Sequence, residues 1–418
     1  MRVRIAYGRA GLELHLKGDV TVLEQPDAPA IADPPAAIRQ ALRNPIASQP
    51  LRELVRAQDR VAIVFSDITR PMPTQLVLPV LLQELSHVRE DNILLINALG
   101  THRPNTAEEL ELMLGPDVCR RCRIVQHDAL DELNLVSVGH SARGYPLLVN
   151  RLFVQADCRI LTGLVEPHFF AGYSGGAKSV LPGIAGMRTI LHNHDYEMLS
   201  HPKATWLEAE GNPVYEEIEL AGTLTAPHFV LNVALNRDKQ LSSVFAGSLL
   251  PAHAAARDFV RSHSQVLVEE PFDIVITSNG GYPLDLNLYQ CVKGMSAAAR
   301  IVRPGGAIIV AGECWDGLPE HSRYASLLRA AQSPADLLER IKSFPEPERD
   351  QWQAQLQAQV QLRADVYVFS RGLTEKQMRE ALLNPCQDIE QLVSRLVRQK
   401  GPRVGVLPQG PFTVPTLA

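Results

Sequence analysis

Between Cys158 and His194 the chain carries a histidine next to a proline (His168), a glycine-rich turn holding Lys178, and an H-x-H pair, His192 and His194. A second histidine beside a proline, His102, lies upstream in GTHRPN. Histidine titrates near neutrality, so two of them facing one cavity can exchange the roles of base and acid. The plainer alternative is that each only hydrogen-bonds a loop carbonyl. In GYSGGAKS, the backbone N–H groups around Ser174, Gly175 and Gly176 form a candidate anion cradle, and Lys178 is either a phosphate partner or a nucleophilic amine. The bland reading is a tight turn with a solvated lysine. The pattern is not a P-loop: Ala177 stands where the second glycine belongs, and Pro182 interrupts the helix that such a loop feeds. His192 and His194 are candidate metal ligands, sharing one side only if the backbone is extended. No cysteine cluster or H-E-x-x-H helix accompanies them, so a structural zinc site is not expected.

Arg70 and Lys293 are the candidate carboxylate binders, the first by a planar fork and the second as a point charge. Asp67, in SDITRP, is placed to orient Arg70 or to bind a sugar hydroxyl. Cys119 and Cys122 form a C-x-x-C pair with no second pair at zinc-ribbon spacing, and no function is expected of them.

These residues share a kind of position. The loops SDITRP, GTHRP, EPHFF and SNGGYPLD each follow an apolar, β-branched run that reads as a buried strand: Asp59–Asp67, Asn92–Leu99, Arg159–Val165 and Phe272–Ser278. Helical patterns separate the runs, at Pro35–Arg43, from Thr74 to about Val88, from Thr106 with Glu109 in capping-box spacing, and across Ala252–Ser262. Further strands are expected at Cys122–Asp128 and His228–Leu235. Alternation of this kind predicts an α/β fold with a doubly wound, mostly parallel sheet, whose ligands gather beyond the carboxyl ends of the strands. After Glu269-Glu270-Pro271 the pattern restarts, with a helix at Asn287–Arg300 and strands at Ala307–Glu313 and Asp365–Ser370. The expected division is therefore a larger domain, 1–270, and a smaller α/β domain, 271–418, with the site in the cleft between them and the C-terminal tail returning to the first. The glutamine-rich QWQAQLQAQVQLR reads as a solvated helix.

At 418 residues, with 45% hydrophobic and 21% charged residues, two globular domains are the natural expectation. A formal charge of -5 offers no basic stripe to nucleic acid or an anionic membrane. No apolar run is long enough to cross a bilayer, the N-terminal pattern is not that of an export signal, and the six cysteines form no disulfide framework, so the cytoplasm is the expected location.

Taken together, SDITRP, GTHRP, EPHFFAGYSGGAKSVLPG, HNH and GGYPLDLNLYQCVKG resemble the nickel-pincer-nucleotide-dependent lactate racemases and their 2-hydroxyacid racemase and epimerase relatives. The resemblance spans Asp67 to Lys293. It implies an isomerase in which Lys178 tethers pyridinium-3-thioamide-5-thiocarboxylic acid mononucleotide, the nickel-pincer nucleotide, and His194 completes the coordination of its nickel. It further implies that His102 and His168 are the catalytic histidines and that Arg70 and Lys293 hold the substrate carboxylate. Asp67, Ser174, Gly175, Gly176, Tyr289 and Gln290 would line the cofactor site. Cofactor-synthesis and nickel-insertion enzymes are implied as partners for maturation. The implied reaction inverts C2 of a 2-hydroxy acid by hydride transfer coupled to proton transfer, which avoids a doubly charged enediolate. Lactate, a longer aliphatic or aromatic hydroxy acid, malate and an aldonic acid all remain open, with Phe169, Phe170 and the Trp315 loop as candidate contacts to the side-chain end. The alternative from another class is a non-catalytic binder or carrier of the nickel cofactor or of a phosphorylated ligand.

Overall fold

Four runs, VAIVFS, ILLINA, CRILTGL and FVLNVAL, are apolar on both of their alternating faces, as strands covered by helices on each side must be. In the computed structural model, which describes residues 1–320 and 322–418, they form the middle of a six-stranded sheet. Its order is Leu241–Gly247, Phe229–Leu235, Cys158–Leu164, Val61–Ser66, Ile93–Ala98, Arg123–Gln126. All neighbours are parallel except the outermost pair, Leu241–Gly247 against Phe229–Leu235. Counted along the chain, the strands run outward from Val61–Ser66 on one side and then resume on its other side at Cys158–Leu164. The order therefore reverses between these two strands, and that reversal is where open α/β sheets bind ligands. Helices Thr74–Glu84, Pro34–Arg43 and Ala107–Leu114 contribute Leu78, Leu81, Ile38, Leu42 and Leu114 to the core on one face. The first helix ends at Glu84 rather than near Val88.

This sheet belongs to a compact unit made of Asp27–Asn193 and Lys203–His263. The other unit comprises Met1–Pro26, His194–Pro202 and Ser264–Ala418. Its main sheet has six strands, parallel throughout, in the order Asn384–Cys386, Asp365–Phe369, Val302–Ala311, Phe272–Ser278, Val404–Leu407, Val20–Val22. The expected division at 270 thus needs correction at the N-terminal end of the chain. Val3, Ile5, Leu14 and Leu16 of the N-terminal hairpin find their apolar partners in the core of the second unit, and Val20–Val22 closes an edge of its sheet. The tail pairs Val414–Leu417 with Gln265–Val268, a strand inside the expected bounds 1–270 that here belongs to the second unit.

The helix Gln351–Arg363 corrects a second expectation. It is not solvated: Gln351, Gln353, Gln355 and Gln357 are each at most 1% exposed. Their amides are tolerated inside because they hydrogen-bond the surrounding backbone and side chains, among them Ala381 O and Ser200 Oγ. No described helix is long and apolar enough to cross a membrane.

Candidate active site

Three of the motif loops leave adjacent strands of the first unit at the same end. Asp67 follows Val61–Ser66, His102 lies past Ile93–Ala98, and Glu166-Pro167-His168 follows Cys158–Leu164. Parallel pairing puts all three loops at the carboxyl ends, two of them flanking the reversal in strand order.

Asp67 is buried, and its Oδ2 lies 2.7 Å from His102 Nδ1. Thr69 Oγ1 donates to its Oδ1 at 2.8 Å. Burial by itself would raise the Asp67 pKa. The hydrogen bond and charge of His102, with Arg70 and Thr69, outweigh it, so the carboxyl is held below its ordinary value. A carboxylate can only accept, which requires His102 Nδ1 to carry the hydrogen and leaves the lone pair of the neutral ring on Nε2. The loop bearing His102 is itself pinned. Arg103 forks onto Glu109 at 2.7 and 2.8 Å, Glu109 completes the capping box of helix Ala107–Leu114, and Asn97 donates to Asn105. The Arg103 guanidinium brings the Glu109 carboxyl down to about 2.

Arg70 Nη1 lies 3.5 Å from Glu166 Oε1, a single long contact that leaves most of the fork for another anion. His168 sits in a two-stranded turn, Pro167–His168 against Gly172–Tyr173, where its Nδ1 accepts the Ala171 N–H at 3.3 Å. The Phe169 and Phe170 rings lie 4.9 and 4.6 Å from the His168 ring. Lys178, on the short helix Gly176–Ser179, places Nζ 5.7 Å from the centre of the Phe170 ring.

In the glycine-rich loop, part of the candidate anion cradle is taken up by the protein. Ser174 Oγ is committed to Leu164 O and to the Glu166 N–H, and the Gly176 N–H donates to Asn232 Oδ1 at 3.1 Å. Two of the glycines are also required by close packing. At Gly176, φ is 53° and an added Cβ would lie 2.6 Å from the His253 ring; at Gly172, φ is 72° and a Cβ would lie 1.9 Å from Glu208 O. His253 is buried, hydrogen-bonds Ser174 O at 2.9 Å and Tyr215 Oη at 3.1 Å, and is pushed down to about 4 by burial.

His192 and His194 do not share an extended strand. His192 lies in the last turn of the helix Met187–Asn193, stacked 3.6 Å from the Tyr145 ring, and its carbonyl accepts from Arg143. His194 is buried, its ring 5.3 Å from that of Trp352 in an edge-on contact within the second unit. In the same unit the helix Leu288–Ala299 carries Tyr289, Gln290 and Lys293. Trp352 Nε1 donates to Tyr289 Oη at 2.9 Å, and the Gln290 N–H is taken by the N-cap Asn287. Among the described residues no three histidine, cysteine or acidic side chains gather in a group fit to hold a metal. His194, the candidate ligand, would offer a metal one imidazole, so the remaining donors would have to come from a bound group.

Glu166, Arg103, Glu109, Asn232, His253 and Trp352 were not among the expected site residues. Glu166 and Arg103 stand inside quoted motifs and Glu109 showed the capping-box spacing, so these were legible; Asn232, His253 and Trp352 are distant in sequence and carried no local signal.

The motifs and the fold point to one family. The model of the lactate racemase N-terminal domain matches residues 7–207, and that of the C-terminal domain matches 267–413. The chain belongs to the lactate racemase family. Lactate racemase of Thermoanaerobacterium thermosaccharolyticum is 34% identical over 378 residues, covering 89% of this chain and 88% of that one. The lactate racemase of Lactiplantibacillus plantarum is 35% identical over 382 residues, 89% of each chain. The structure of the Thermoanaerobacterium lactate racemase apoprotein matches with a TM-score of 0.92 at 31% identity, over 99% of this chain and 100% of that one. A Thermotoga maritima protein at 20% identity shares the fold, with a TM-score of 0.71 over 94% of this chain and all of its own. This member of the lactate racemase family is an isomerase of the racemase type.

Proposed function

We propose that this racemase inverts C2 of lactate or a closely related 2-hydroxy acid by hydride transfer coupled to proton transfer. The observation that carries the reading is the Asp67–His102 pair at 2.7 Å, flanked by Arg70 at the reversal of strand order. Arg70 binds the substrate carboxylate with the part of its fork that Glu166 does not meet, and Lys293 is the proposed second cation. Asp67 fixes the His102 ring so that Nε2 takes the hydroxyl proton of one enantiomer as the C2 hydride departs. His168 performs the matching transfer for the other enantiomer, whose hydroxyl points the other way. The buried Phe169 and Phe170 beside His168 keep water from that ring.

Lys178 is the proposed tether and His194 the proposed nickel ligand of a nickel-pincer nucleotide supplied by cofactor-synthesis and nickel-insertion enzymes. When bound, that group supplies reversible hydride acceptance. The commitment of Ser174 Oγ and the Gly176 N–H to the protein supports Ser174, Gly175 and Gly176 as the frame of the lysine turn. Asp67, Tyr289 and Gln290 are proposed to line the same site.

The test is a chiral assay across a panel of 2-hydroxy acids, using protein produced with nickel and the cofactor-synthesis enzymes. Interconversion of the two lactates is expected. Fully loaded protein that interconverts no member of the panel would instead be a carrier.

A further inference from the structure

Nothing in the proposed chemistry uses the helix Gln351–Arg363, yet its glutamines occupy interior positions where leucine would pack without any polar group to satisfy. A buried amide costs stability unless its partners are in place, so the useful question is what each one holds. Gln355 Nε2 donates to Tyr196 O and to Ser200 Oγ, both at 3.0 Å, across the short helix that follows His194. Gln359 Nε2 reaches Leu199 O in the same helix at 3.5 Å. The Oε1 of Gln355 is buried with no hydrogen-bond partner among the described residues, so this amide is kept for its donors. One residue pair away, Gln353 Nε2 donates to Tyr289 O, and Trp352 both donates to Tyr289 Oη at 2.9 Å and meets the His194 ring. Further along, Gln357 and Gln361 hold the Ala381 and Leu382 carbonyls of a different loop.

We infer that Gln355 and Gln353 are positioning residues, one for the candidate metal ligand and one for the candidate carboxylate binder. Gln355 sets the Tyr196–Ser200 helix and, through it, the imidazole of His194. Gln353 sets the first turn of the helix that carries Tyr289, Gln290 and Lys293. The inference rests on the roles proposed for His194 and Lys293.

The experiment compares Gln355→Met, Gln353→Met and Gln361→Met in the full chain produced with nickel and the cofactor-synthesis enzymes. Methionine keeps the length of the side chain and removes the amide. Gln355→Met should lose nickel to a competing chelator about tenfold more readily, with the Lys178 adduct mass and KM unchanged. Gln353→Met should keep its nickel and show KM raised about tenfold. Gln361→Met, which breaks the same kind of bond at the far loop, should match the parent in both. The Trp352 indole N–H resonance, assigned with Trp352→Phe, should move in the first two variants and not in the third, whether or not nickel is present. If Gln355→Met does not fold, Ser200→Ala removes one of its two acceptors and should give the same pattern at smaller size. Parental nickel retention in Gln355→Met, parental KM in Gln353→Met, or equal losses in Gln361→Met would each overturn the inference. An unshifted indole resonance overturns the positioning itself, whereas a parent protein with no nickel and a shifted resonance overturns only the proposed function.

Discussion

The Nδ1 atoms of His102 and His168 meet opposite kinds of partner. The first faces the Asp67 carboxylate and must carry a hydrogen; the second accepts the Ala171 N–H and, in the neutral ring, leaves the hydrogen on Nε2. One Nε2 is therefore left with a lone pair and the other with a hydrogen, a complementary arrangement for two histidines proposed to share proton transfer. Enantiomers have equal free energy, so kcat/KM must be the same in both directions however unlike the two histidines are; asymmetry can appear only in kcat and KM separately. Asp67→Asn should lower kcat/KM by about 100-fold for both lactates alike, because an amide can hold the wrong tautomer of His102. Initial rates from each pure enantiomer check this, and a parental kcat/KM in Asp67→Asn would remove Asp67 from the proposed mechanism. His102→Ala and His168→Ala should each lose roughly 100-fold or more of the racemisation rate while nickel content stays near that of the parent. Equal loss of nickel would mean that a ligand had been mistaken for a base. As for pH, the Asp67 carboxyl is held low, so its contribution to stability is complete above the ordinary carboxylate value of about 4 and is lost only as pH falls through the lower folded value.

At the scale of the element, the lysine turn owes its shape to residues that arrive from far along the chain. His253 supports it from below and is pushed from 6.5 down to about 4 by burial. Between those values the unfolded chain holds more protons than the folded one, so stability rises with pH there. The contribution is fully present above about 6.5 and lost towards 4, up to roughly 3 kcal/mol. His253→Gln keeps a donor for Ser174 O and an acceptor for Tyr215, and urea unfolding of this variant should lose about that much less stability between pH 7.5 and pH 4 than the parent does. Identical pH dependence in the two proteins would place the titrating group elsewhere. Gly176→Ala, which forces a Cβ against the same imidazole at positive φ, should cost about 1–3 kcal/mol in the same measurement.

At the scale of the whole molecule, the proposed tether predicts a mass signature. Protein produced with nickel and the cofactor-synthesis enzymes should carry an adduct on the peptide containing Lys178, and protein produced without them should not. Lys178→Ala should show neither the adduct nor racemisation. A Lys178→Ala protein that still racemises would remove the tether from the mechanism.

Most of the first unit was readable without coordinates. Buried parallel strands announce themselves as unbroken β-branched runs such as VAIVFS, and the Thr106–Glu109 capping box marks its helix start, because both signals are local and depend on backbone geometry alone. The residues proposed for the site, Asp67, Arg70, His102, His168, Lys178 and His194, were picked out by type and spacing, because the chemistry each can do restricts its type. What only the tertiary structure decided is which distant groups meet them. Glu166 faces Arg70, Asn232 and His253 hold the glycine turn, and Trp352 meets His194 within the second unit. The same reason explains the two misreadings. Whether the N-terminal hairpin serves one core or the other depends on where its apolar face finds a partner, and a row of glutamines looks solvated until the carbonyls that accept their hydrogens are in place. Residue type sets what a side chain can do; long-range packing sets what it has to do it with.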